Sequence, residues 1–123
     1  MPALPNLFSI QMGIGSQWSQ SYTFQNADGS LVDLTGHTFS FVVRNDPSEA
    51  NAITPVIRVD TTGTAQGNIT VNTATATITV NLLASGTAAL TQKTYYYSLW
   101  MDPGTTSTAW ATGTIFAAQI ANY

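Results

Sequence analysis

Few side chains in this sequence are equipped for chemistry. The single histidine is His37, and the carboxylates are Asp28, Asp33, Asp46, Glu49, Asp60 and Asp102. A Ser-His-Asp hydrolase would have to run through His37. That residue follows Gly36 at a turn, and Gly13-Ile14-Gly15-Ser16 does not match a nucleophile elbow. The same glycine run lacks the spacing and the lysine of a phosphate loop. His37 therefore reads as a polar residue that opens a strand. A glycosidase needs two facing carboxylates, one of them held protonated. Asp46 and Glu49 share one loop, whereas Asp28, Asp60 and Asp102 sit at turns. Asp is favoured at turns because it hydrogen-bonds its own backbone. No closely spaced His/Cys/Asp/Glu set and no Asp-x-Asp calcium loop occur. No catalytic residue, cofactor or metal is assigned, and the chain is read as a non-enzyme.

The tryptophans Trp18, Trp100 and Trp110 leave one binding chemistry open, stacking against a sugar ring. Aromatic rings are more often core or protein interface, and these are weighed first as such.

Composition narrows the partners. Charged residues make up 7% of the 123 residues, against about 25% in an average soluble domain. The only bases are Arg44, Arg58 and Lys93, and the net charge is -3. That excludes the basic footprint of a nucleic-acid binder and the polybasic patch of a membrane-surface protein. There is no Cys, so a disulfide framework and a thiolate zinc site are both ruled out. The polar surface must come from Thr, Ser, Asn and Gln. β-Branched Thr suits a pleated, half-buried surface. A neutral Thr-coated face fits one that protein neighbours will cover. No secretory leader or membrane span is expected from the start Met1-Pro2-Ala3-Leu4-Pro5 or from any later window.

The elements that must position these residues are strands. Phe8, Ile10 and Met12 alternate with Ser9 and Gln11. After the glycine run, Trp18, Tyr22 and Phe24 share one parity in a second strand that leads to an Asp28-Gly29 turn. That second strand reads as the first arm of a hairpin, which Asn26-Ala27-Asp28-Gly29 closes in a slightly longer loop. Gly36 redirects the chain into the clearest strand, 38–44, with Phe39, Phe41 and Val43 facing a core. Further strands are expected at 53–60, 68–72, 76–82, 93–101 and 108–119, with a single helical turn within 84–90. Ile69, Val71, Ile78, Val80 and Leu82 join the expected core. Strand 93–101 carries aromatics on both faces: Tyr95, Tyr97, Leu99 and Met101 on one, Tyr96 and Trp100 on the other. A strand apolar on both sides is covered on both sides. About eight strands with almost no helix predict a single antiparallel, all-β sandwich. Residues 1–6 read as an N-terminal arm and 7–123 as the domain.

The order of these signals resembles a known family. Trp18-Ser19-Gln20-Ser21-Tyr22-Thr23-Phe24, the run Asp28-Gly29-Ser30-Leu31-Val32-Asp33-Leu34-Thr35-Gly36-His37-Thr38-Phe39, and Phe41-Val42-Val43-Arg44 come first. Gly67-Asn68-Ile69-Thr70-Val71, the 76–82 strand, the 87–90 segment, Tyr95-Tyr96-Tyr97-Ser98-Leu99 and Gly113 follow. Together they are similar to small bacteriophage virion β-sandwich domains. These include the N-terminal domain of baseplate upper proteins and related tail- or capsid-associated immunoglobulin-like proteins. The resemblance spans residues 10–118 and rests on turns and core positions. It implies an immunoglobulin-like fold and carries over no catalytic residue. The baseplate proteins continue into a long C-terminal extension, whereas this sequence stops after the sandwich.

The resulting expectation is a non-enzymatic virion protein, made in the host cytoplasm, that decorates or cements a capsid. Its partners would be the major capsid protein or other virion proteins, with self-association into a homo-oligomer. Leu4, Pro5, Tyr96, Trp100, Trp110 and Tyr123 are the candidate interface residues. A tail or baseplate module and a carbohydrate-binding host-attachment domain are the alternatives.

Overall fold

The structure is a computed structural model that describes residues 6–46, 54–102 and 108–119. Those residues form β1 (Asn6–Gly13), β2 (Trp18–Thr23), β3 (Phe39–Arg44), β4 (Ile57–Asp60), β5 (Gly67–Asn72) and β6 (Thr77–Leu82). A one-turn helix α1 (Ala84–Thr87), β7 (Lys93–Met101) and β8 (Thr108–Ala118) complete them. The chain is all-β, in two sheets. One has five strands in the order β1-β8-β7-β3-β4; the other has three in the order β2-β6-β5.

Period-two alternation sets the faces. In β3, Phe39, Phe41 and Val43 are fully buried, while Val42 and Arg44 on the opposite parity are half-buried. β6 buries Ile78, Val80 and Leu82, and β7 buries Tyr95, Tyr97 and Leu99. The sheets meet through rings. Trp18 lies 5.7 Å from Phe41, and Phe24 meets Phe39 edge-on at 5.3 Å. Phe41 also stacks on Tyr97 at 5.4 Å. Each such ring removed from water is worth about 1.5–3 kcal/mol, so this cluster fixes how the sheets face each other.

The loop expected at Asp28-Gly29 closes as a short hairpin, with the Asn26 N–H on the Ser30 carbonyl at 2.8 Å and Gln25 bridged to Leu31. β1 leaves β2 and runs parallel to β8 in the other sheet, with Phe8 opposite Gly113 and Met12 opposite Ala117. The turn at 14–16 carries the chain across the sheets instead of folding it back. The Ile14 N–H bonds the Ala118 carbonyl at 2.9 Å, which extends the β1–β8 ladder past Gly13. The fold is therefore not wholly antiparallel. Asn6, assigned to the arm by sequence, opens β1.

Val71 was expected in the core and is 38% exposed. It shares the parity of buried Ile69, but β5 is an edge strand of six residues beside a β4 of only four. The far end of β5 outruns its cover. Conversely, Leu34 and Leu90, which lie outside every strand, are buried in the core. Strand 53–60 begins at Ile57, with Pro55 before it, as befits a residue that cannot donate to a ladder.

Candidate functional site

The outward parity of the five-stranded sheet places the aromatic side chains that the core does not use. β7 is the middle strand, and its outer face presents Tyr96, Ser98 and Trp100, all half-buried. The Trp100 indole N–H donates to the Ser98 hydroxyl at 2.7 Å, which ties the ring back along its own strand. On β8, Thr112 donates its hydroxyl to the Tyr97 carbonyl, and Phe116 stands 46% exposed. On β3, Ser40 lies between Trp100 and Asp60 in the ladder. Its hydroxyl is buried and has no hydrogen-bond partner among the described residues. Arg44, Arg58 and Asp60 carry the charge of this face, all on β3 and β4.

The outer face of the three-stranded sheet has a different chemistry. Register aligns Ser19 with Asn81 and Asn68, Ser21 with Thr79 and Thr70, and Thr23 with Thr77 and Asn72. Ser19 donates to Asn81 Oδ1 at 2.9 Å, and Asn81 Nδ2 donates to Asn68 Oδ1 at 3.0 Å. The Ser21 and Thr79 hydroxyls share a hydrogen bond of 2.9 Å; those of Thr23 and Thr77 share one of 3.1 Å. The result is an uncharged array of hydroxyls and amides whose members satisfy one another sideways.

His37 is not merely a strand opener. Its Nδ1 lies 2.6 Å from Asp102 Oδ2. The other oxygen, Oδ1, accepts the Thr38 N–H at 3.0 Å, and the Asp102 N–H donates to the Thr38 carbonyl at 2.7 Å. The Thr38 N–H, followed by the His37 ring, holds the Asp102 carboxyl below the usual aspartate range. This latch joins the 34–38 turn to the end of β7. A nucleophile-activating triad would need a third group on the imidazole, and the described contacts of His37 supply only Asp102.

Asp28, Asp33 and Asp60 shape turns, as the sequence predicts for Asp28 and Asp60. Asp28 accepts from the Ser30 hydroxyl at 2.6 Å and the Ser30 N–H at 2.9 Å, and these bonds hold its carboxyl low. Asp33 accepts the Thr35 N–H at 3.0 Å, with the same effect. Asp60 accepts the Thr62 hydroxyl at 2.8 Å. Gly29 and Gly36 take positive φ angles of +88° and +77° at their turns. Among the described residues, no group of three His, Cys, Asp or Glu side chains is placed to hold a metal ion. No helix of the described residues is long and apolar enough to cross a membrane. Inside the core, burial pushes the Tyr22 phenol above its ordinary pKa, and Tyr97 beside it adds to the effect. Burial likewise pushes Tyr97 up to about 12.

Of the six candidate interface residues, Tyr96 and Trp100 fall together on the outer face of β7. Trp110 lies in β8, but its side chain, like Leu4, Pro5 and Tyr123, is outside the described residues. Glu49 is outside them too. Trp18 packs inward on Phe41, so it and Trp100 do not form one sugar-stacking platform. Sequence reasoning missed the His37–Asp102 contact, which spans 65 positions. It also passed over Phe116 and the hydroxyl–amide array, although alternation alone marks both. Compared with protein-family models and with curated proteins, the chain matches none.

Proposed function

We propose that this chain is a non-enzymatic structural protein of a bacteriophage virion, an immunoglobulin-like sandwich that decorates the capsid and stabilises it by protein–protein contact. Three features support the fold assignment. The sheets divide as five and three, with β1 parallel to the last strand. A helical turn links β6 to β7. The Tyr95 hydroxyl, near the start of β7, accepts the Thr91 N–H at 2.8 Å, the arrangement of a tyrosine corner.

The hydroxyl–amide array on the three-stranded sheet carries the functional reading. A face of this kind is inexpensive to cover. It holds no charge to desolvate. Its hydroxyls already bond one another, so a neighbouring subunit strands few of them. Charge is sparse in the rest of the sequence too, at 7% of residues.

Quantitative mass spectrometry of purified virions of the encoding phage tests this. On the order of hundreds of copies per particle supports shell decoration, and about a dozen places the chain at a tail or baseplate ring. Particles that lack the protein refute the virion reading.

A further inference from the structure

We propose that the outer face of the five-stranded sheet is where two copies of this chain pair, about a two-fold axis that runs along β7. The pairing concerns the chain alone and stands independently of any role in a particle.

The first support is the layout of the face. Its middle strand carries Tyr96 and Trp100, and two strands flank it on each side. Protein interfaces place aromatic anchors at the centre and polar groups at the rim. Here the outer strands β4 and β1 present Arg58, Asp60 and Gln11. The Trp100 N–H is already bonded to Ser98, so covering the indole leaves no donor unpaired.

The second support is size. Five strands spaced about 4.8 Å apart, with four to eleven residues each rising about 3.3 Å, give a face of roughly 600 Å². Two such faces bury about 1,200 Å², the lower bound for a specific protein–protein contact. That is more than a small ligand needs and enough for one copy of the same sheet.

The third support is charge, and it selects the axis. Arg44, Arg58 and Asp60 all lie on the β3–β4 half, whereas the β7–β8 half presents Thr94, Tyr96, Ser98, Trp100, Thr112, Thr114 and Phe116. In register, Arg58, Val42, Ser98 and Thr112 form one row across the sheet, and Arg44, Tyr96 and Thr114 form another. A two-fold along β7 exchanges the halves. It sets Val42 over Thr112 of the second copy, and Arg44 over its Thr114, next to its Phe116. A guanidinium within reach of that ring gains a cation–π contact. A two-fold across the strands at the level of Ser98 would instead set Arg58 on Arg58.

Sedimentation equilibrium of the full chain over a wide concentration range tests the proposal. The expected species has twice the 13.1 kDa chain mass. Trp100→Asp is expected to shift it to the single-chain mass. Phe116→Lys changes a side chain that is already exposed, so it does the same without risk to the fold. Thr79→Lys, on the other sheet, leaves the pair intact. The chain has no cysteine, so single substitutions give single thiols. Tyr96→Cys, beside the axis, is expected to yield a covalent pair with a short bis-maleimide, and Arg58→Cys is not. A single-chain mass at every concentration overturns the proposal. So does a pair that survives Phe116→Lys and is lost with Thr79→Lys, or cross-linking through position 58 and not 96.

Discussion

Gly67→Ala is expected to cost far more than the same substitution at Gly15, Gly29, Gly36 or Gly63, the other positive-φ glycines of the described residues. Gly67 opens β5 with φ at +152°, a backbone conformation that essentially only glycine adopts. Holding another residue there costs about 1–3 kcal/mol. The added Cβ would also lie 2.0 Å from the Asn81 carbonyl oxygen and 3.1 Å from Leu82 Cα. Both are backbone atoms of the paired strand, so neither can swing aside. The start of β5 must separate from β6, which disturbs the Gly67 N–H to Thr64 bond of 3.2 Å and its 2.8 Å reciprocal. Each lost bond adds about 1 kcal/mol, for a total of roughly 3–5 kcal/mol. An unfolding entropy of about 2.1 cal/mol/K per residue converts 4 kcal/mol into a fall of roughly 15 °C in Tm. Gly29→Ala is the matched control. Its φ is +88°, and nothing lies within 4 Å of the new Cβ. Only the left-handed backbone term remains, about 1–2 kcal/mol, or roughly 4–8 °C. Thermal melts of both variants by circular dichroism at one pH check this. Equal shifts for the two would refute the claim that backbone contact with Asn81, rather than φ alone, requires glycine at 67.

Other outcomes follow from particular side chains. Ser40→Ala removes a buried hydroxyl that lacks a partner among the described residues, and chemical denaturation should show it unchanged or more stable by about 1 kcal/mol. Thr87→Val removes a fully buried hydroxyl that donates to the Ser16 carbonyl at 2.7 Å, and should cost about 1–3 kcal/mol by the same measurement. The Asp102 carboxyl titrates lower in the folded chain than in the unfolded one. The unfolded state therefore binds more protons through that window, and stability rises with pH there. The contribution is complete above the ordinary aspartate range and is lost as pH falls through the folded value. In melts between about pH 6 and pH 3, Asp102→Asn should lose less stability on acidification than the parent chain.

The parts of the fold that were legible in the sequence are those governed by local chemistry. Alternation in 38–44, 76–82 and 93–101 assigned the buried and outward faces correctly, because a strand has only two faces. Asp28-Gly29 and Gly36 marked turns because their backbone angles are restricted to few residue types. Leu34 and Leu90 were not legible. Each enters the core from a loop, where no periodicity announces it. Val71 was misassigned for the opposite reason: its parity is correct, but alternation does not reveal how far the opposing sheet extends.

Long-range partners were legible only in outline. Met12 and Ala117 are both apolar and alternate correctly, yet nothing local distinguishes a hairpin with β2 from a parallel ladder with β8. The His37–Asp102 latch shows the same dependence. Neither residue belongs to a motif, but the ladder pairs Phe39 with Met101, and the next pair outward is Thr38 with Asp102. Once the β3–β7 register is known, Asp102 stands opposite Thr38, one residue from His37. The outer aromatic face has the same origin. Tyr96 and Trp100 are visible as outward residues of one strand, but only the order β1-β8-β7-β3-β4 makes that strand central and gathers every charge of the face to one side. The candidate surfaces of this chain are therefore products of register and strand order, and substitutions that shift register should abolish the latch and the aromatic face together.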